Sequence, residues 1–272
     1  KKKKNNNTTG SKYLHPNKSD SEATRGFSFF ANGFQPRTSH PDENASGDTY
    51  IYMAIRRGPL AEPESATDVF AMDTYDTTTG DPTAYDSTFP VDMVIQAMNT
   101  NTTTSWRVNN RLTGINYLKT NATDAEATNA SSHTFDTQTG FRLDPGTDVN
   151  DIAYMWKRAP SYFDVCCYSG TGSARTVSHN LGAVPEMMWI KNRSAAENWV
   201  VYHSGIDSST PEDYYLRLNQ TSARIDIDGG AGNRFNRTAP TASVFTVGTD
   251  GDVNGNGVAY ISYHFATVAN VA

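Results

Sequence analysis

A chain of 272 residues, 37% hydrophobic and 19% charged, is long enough for about two domains. Its formal net charge of −6, with no basic stripe beyond the lysines at 1–4, argues against non-specific binding of nucleic acid, which draws its affinity from neutralised phosphates. No apolar run approaches the roughly 18 to 20 residues that span a bilayer, and no signal-peptide-like apolar core opens the chain, so a soluble protein without membrane insertion is expected.

Residues 1–12 are polar and lack any period, and are predicted to be a disordered or loosely attached terminus. From residue 13 a pattern begins that returns twice, Tyr-Leu-x-x-Asn, at Tyr13, Leu14 and Asn17, at Tyr117, Leu118 and Asn121, and at Tyr215, Leu216 and Asn219. The first two copies keep their frame as far as Glu22 and Glu126. Each copy is followed by an apolar aromatic strand, at 50–55, 152–156 and 259–265. Pro59 and Pro160 stand 160 − 59 = 101 residues apart, which is domain-sized. Solenoid repeats are shorter, roughly 20 to 50 residues. The chain therefore divides into the C-terminal part of a first repeat at 13–59, a second repeat at 60–160 and a third at 161–272.

The first segment holds an aromatic strand at 27–30, a turn at Asn32-Gly33 and the terminal strand, without the front half that the other copies carry. Such a half-domain leaves core surface open, so a neighbouring subunit or further residues are expected to cover it. The second repeat runs from a proline-spaced linker through strands at 68–72, 93–95 and 106–108 to a short helix within 122–130. The third carries about eight short strands between turn clusters, and no window keeps a helical stripe. Met93-Val94-Ile95 is matched with Met188-Trp189-Ile190, and Trp106 with Trp199, the two tryptophans being expected as equivalent core anchors. The predicted fold is all-β, built of tandem antiparallel β-sandwich, jelly-roll-like repeats of about 100 residues.

Cys166 and Cys167 are adjacent on a strand, so their side chains point to opposite faces and a mutual disulfide would be strained. Framed on Asp68-Val69 and Asp164-Val165, they replace Phe70 and Ala71 and act as small hydrophobes.

Segments such as 49–57, 89–95 and 172–182, together with Val184-Pro185-Glu186-Met187-Met188 and 198–203, resemble repeats in structural proteins of marine tailed bacteriophages. The resemblance covers roughly Tyr13 to Phe265. It implies a tail or fibre-like virion setting, often beside lectin-like domains, and no catalytic residues.

The sharpest metal candidate is Asp250, Asp252, Asn254 and Asn256, spaced like the start of a calcium loop. The twelfth position, where such a loop places a bidentate glutamate, is Ile261, so a plain hairpin connection is the preferred reading. Residues 169–173 could cradle a phosphate only if they opened a helix and carried a lysine, and the following residues read as a strand. The histidines show no metal-ligand spacing, and no serine sits in Gly-x-Ser-x-Gly. Asp92 and Glu186 lie beside strand aromatics, where an edge charge that deters aggregation is the plainer role. Tyr75, Tyr85 and Tyr162 are candidates for stacking on sugar rings.

These residues point to a non-enzymatic structural or adhesive module of a phage virion, without cofactors, that spaces or presents host-attachment sites. Its expected partners are other virion proteins and copies of itself, with a homotrimer favoured. The alternative is a tailspike-like module that binds or cleaves a host-surface glycan.

Overall fold

Met93, Val94 and Ile95 occupy consecutive positions of one strand and are all buried, which requires a sheet covered on both faces. The computed structural model describes the backbone at 11–13, 23–25, 27–30 and 33–36. It describes in full residues 44–50, 61–75, 85–97, 105–128, 137–142, 151–227 and 233–269, with single positions at 19, 21, 39, 41, 135 and 271.

Two compact units emerge, Lys1–Gly58 with Thr78–Pro82, and Pro59–Thr77 with Thr83–Ala272. The first contains two antiparallel hairpins, β1 (Ser11–Tyr13) with β2 (Ala23–Arg25), and β3 (Phe27–Phe30) with β4 (Gly33–Pro36). Tyr13 ends β1, while Leu14, Asn17 and positions 51–55 of the strand expected at 50–55 lie outside the described residues.

The second unit holds β5 (Phe70–Thr74), β6 (Met93–Ala97), β7 (Arg107–Asn110), β8 (Asn116–Lys119), β9 (Ala127–Thr128) and β10 (Ile152–Trp156), hydrogen-bonded in the order β5-β10-β6-β7-β8-β9. It continues with β11 (Phe163–Ser169), β12 (Arg175–Ser178), β13 (Met187–Asn192), β14 (Val200–His203), β15 (Tyr214–Arg217), β16 (Ile225–Asp226), β17 (Val244–Val247) and β18 (Ala259–Phe265). Six of these form a second large sheet, β11-β18-β13-β14-β15-β16, and β12 pairs with β17 apart from it. Every strand ladder is antiparallel. The described helical positions are α1 (Gly251–Asn254), the 3-10 turns Ala66–Asp68 and Pro211–Asp213, and the 3-10 position Ile227. The fold is an all-β antiparallel sandwich.

The two large sheets share one strand order, and their registers superpose across five strands. One row runs Met72, Tyr154, Ile95, Val108, Leu118. The other runs Val165, Tyr263, Trp189, Val201, Leu216. Because side chains alternate across a strand, these rows and their i±2 neighbours form one face of each sheet. Those faces meet in a shared core, where Met93, Ile95, Val108 and Leu118 pack with Phe163, Val165, Trp199, Ile261 and Tyr263. The opposite face of the first sheet is covered by Tyr85, Phe89, Phe135 and Phe141, against Val94, Ala153 and Met155. That of the second sheet is covered by β12 and β17, whose Val177, Phe245 and Val247 pack on Met188, Ile190 and Tyr260. Residue 160 thus marks a change of sheet, while the shared core holds both sheets in one unit.

Four sequence expectations shift. Register pairs Met93, Val94 and Ile95 with Met187, Met188 and Trp189, one residue from the expected frame, and a one-residue slip exchanges the two faces. Cys166 and Cys167 correspond to Asp73 and Thr74, not to Phe70 and Ala71, because Phe163 is the counterpart of Phe70. The helix expected within 122–130 is replaced at Ala127–Thr128 by the edge strand β9. Trp199 is fully buried as expected, but Trp106 is 45% exposed. It stacks on Tyr154 at 6.3 Å and stands outside the shared core.

Candidate functional site

The Tyr-Leu-x-x-Asn motif places its three anchors differently in the two described copies. Leu118 is buried in the shared core, whereas Leu216 is half-buried. Tyr215 is buried with the Arg234 guanidinium 4.0 Å from its ring centre, while Tyr117 is half-buried under Arg107 at 4.8 Å. Asn219 fixes the entry to β14, accepting from the Trp199 backbone N–H at 3.0 Å and donating to Asn198 Oδ1 at 2.9 Å. Asn121 is exposed, and with Leu218, Asn219, Gln220, Thr221 and Ser222 it lines a shallow depression of about 530 Å³. Its lining is amide and hydroxyl with one apolar side chain, which suits hydrogen bonding to a neutral polar ligand and supplies no proton donor or acceptor for acid–base chemistry.

The calcium-like residues do not converge on a cation. Asp250 caps α1, accepting from the Asp252 N–H at 2.8 Å, and its other oxygen lies 3.5 Å from Arg234. Asp252 is paired with the same guanidinium, so a positive charge already occupies the space between the two carboxylates. Asn254 is fully buried, and its Oδ1 accepts from the Thr171 N–H while its Nδ2 donates to Ser173 and Gly248 carbonyls. Asn256 is exposed. The turn at 169–173 is equally committed, with the Gly170 and Gly172 N–H groups donating to Val258 and Asn254 carbonyls. A Cβ on Gly170 would come within 2.1 Å of the Gly255 carbonyl oxygen, so only glycine fits this approach.

Asp92 and Glu186 hold the same register position. Each donates its N–H to the last strand of its sheet, at Trp156 and Phe265, and accepts at its own carbonyl from Arg111 and Ser204. The Asp92 carboxylate takes Arg111 Nε at 3.1 Å and the Arg158 N–H at 2.8 Å, and Glu186 accepts from the Thr267 hydroxyl at 2.7 Å. Both serve strand ends. Of the candidate sugar platforms, Tyr85 is fully buried, against the expectation, and Tyr75 and Tyr162 are half-buried.

Three polar clusters escaped the sequence reading. Arg193 bridges both oxygens of Glu126, at 2.9 and 2.8 Å, and Asn116 donates to the same carboxylate at 3.0 Å. This pair ties the two large sheets together. Lys191 is fully buried, with Nζ donating to the Asn192 carbonyl at 2.8 Å. Burial pulls its ammonium down to about 8, partly offset by Glu197 and Asp124. His264, fully buried, stacks on His179 at 4.8 Å and lies 3.6 Å from Cys166 Sγ. Burial pushes the Cys166 thiol well above its ordinary value and His264 well below, and His179 adds to the latter. A cysteine nucleophile needs a depressed thiol, and burial shifts that of Cys166 the opposite way. The counterpart of His264 in the first large sheet is Met155.

No curated protein and no solved structure matches the chain. A family described as a domain of unknown function, DUF7483, matches residues 1–59 and 157–270. These are 59 + 114 = 173 of the 272 residues, more than half, and the chain belongs to that family.

Proposed function

We propose that the chain is a non-enzymatic structural and adhesive module of a bacteriophage virion, a fibre or surface-appendage segment that spaces or presents host-attachment sites. The observation that carries this reading is the commitment of its ionisable groups. Asp92, Glu126, Asp164, Asp250 and Asp252 are each spent on an ion pair within the sandwich. The two sheets of one strand order support tandem repeats as the building principle. A virion setting adds other virion proteins as partners and self-association, with a homotrimer favoured. Antibodies against the chain, applied to purified tailed-phage particles of the source virus, should decorate a particle appendage. Label confined to the soluble fraction of infected cells would overturn the proposal.

The depression at Asn121 and Asn219 favours glycan binding as the second reading, since neutral amides and hydroxyls are the groups that pair with sugar hydroxyls. Titration of the chain with host-surface polysaccharide tests it, and an unperturbed spectrum of the amide resonances lining the depression would remove it.

A further inference from the structure

Both described motif asparagines line the depression beyond β8 and β15, and only one of them is committed to the fold. In the strand register Lys119 lies opposite Arg107 and Arg217 opposite Val200, the positions after Trp106 and Trp199, so Asn121 and Asn219 correspond. Asn219 accepts from the Trp199 N–H and donates to Asn198, which also accepts from Gln220 Nε2 at 2.9 Å. In the first sheet the corresponding strand entry is held by the Thr120 N–H, which donates to the Trp106 carbonyl at 3.0 Å. Asn121 is exposed and makes no hydrogen bond among the described residues, so its amide keeps a donor and an acceptor for a ligand.

That amide stands on a held frame. Trp199 Nε1 donates to the Lys119 carbonyl at 2.8 Å, which pins the turn carrying Asn121 to the second sheet, and half-buried Leu218 packs on the shared core. The lining contains no ionisable side chain, and Lys119, two residues before Asn121, is paired with Asp124 at 2.5 Å. At about 530 Å³ the depression falls within the roughly 300 to 1,000 Å³ of ligand clefts.

We infer that this depression is a site for an uncharged glycan and that Asn121 is its recognition residue, with Asn219 and Asn198 positioning the rim. The inference rests on the glycan reading above and adds to it a ligand class and a residue. An amide offers donor and acceptor side by side, which fits neighbouring hydroxyls of a hexose or N-acetylhexosamine ring, and Leu218 supplies an apolar contact for the ring's C–H groups. A uronate, sialate or sulfate would bring an anion to a lining that has no cation to pair with it, on a chain of net charge −6.

Amide spectra of the full chain, recorded with glucose, galactose, mannose and N-acetylglucosamine at tens to hundreds of millimolar and with galacturonate as the charged probe, test the inference. At least one neutral sugar should shift the resonances of 119–122 and 218–222, and galacturonate should shift them less. Asn121→Ala should weaken the neutral sugar roughly tenfold, the effect of one lost amide contact. The side chain is exposed, so the variant should keep its fold, which the unchanged remainder of its spectrum verifies. No shift of these resonances with any neutral sugar would overturn the inference and the glycan reading together. Binding that is equally strong in Asn121→Ala, or stronger for galacturonate, would overturn the inference and leave the glycan reading standing.

Discussion

Trp106 and Trp199 precede equivalent strands in equivalent register, yet Trp106 is 45% exposed and Trp199 is fully buried, its indole N–H donating to the Lys119 carbonyl at 2.8 Å. The same residue type before strands of the same place in their sheets thus has two energetic values, set by its burial. Trp199→Ala removes a core ring and leaves a cavity, and should cost about 3 to 5 kcal/mol. Trp106→Ala removes a surface ring and should cost about 1 kcal/mol or less. Urea unfolding of both variants checks the contrast, and equal losses would contradict the difference in burial.

The Glu126–Arg193 pair is the polar counterpart of that contact. Its side chains are 11% and 22% exposed, so each charge depends on the other for its solvation. Arg193→Met leaves a carboxylate with only Asn116 as a side-chain donor and should destabilise by about 3 kcal/mol, whereas adding Glu126→Leu should recover part of the loss. A double-mutant cycle in urea measures the coupling, and an additive pair would show that the bridge contributes nothing between the sheets.

Arg234 joins two features that look unrelated along the chain. It lies over Tyr215, a motif anchor, and pairs with Asp250 and Asp252 of the calcium-like turn. Because the guanidinium fills the position a cation would take, the melting temperature should be the same in millimolar calcium and in chelator. Arg234→Ala should lower it by an amount equivalent to about 3 kcal/mol, through the two carboxylates left facing each other.

Alternation of apolar and polar residues made the strands legible, and the recurring motif marked β8 and β15, because a strand pattern is local. Pairing two sheets through one core is not local. Met72 and Val165 are both apolar strand residues in equivalent register, and nothing near either states that one is covered and the other open. The frame of Met93-Val94-Ile95 slipped for a related reason, since consecutive apolar residues buried on both faces carry no alternation to fix the register. Glu126 followed the motif's frame, but Arg193 is 67 residues away and follows none. The turn at 250–256 read as ligand spacing because the sequence does not show Arg234 folding back upon it.

The stacked histidines give the fold an acid-sensitive point. His264 is fully buried and His179 nearly so, at 5% exposed, and burial lowers both, with the charge of His179 further opposing protonation of His264. The charged and titratable groups around them are Asp164, which raises His179, and the Cys166 thiol. An imidazole whose folded value is depressed binds fewer protons than the unfolded chain below the ordinary value of about 6.5. Stability is therefore fully present above that pH and falls as pH drops toward the folded value, by up to about 1.4 kcal/mol per pH unit for each imidazole that stays neutral. His264→Met places in the second sheet the residue that the first sheet carries at the same register position, Met155, and removes one of the two titrating groups. Urea unfolding from pH 7.5 to 5 should show a shallower loss of stability in this variant than in the parent chain. Parallel slopes for the two proteins would mean that His264 protonates as readily in the folded sheet as in the unfolded chain.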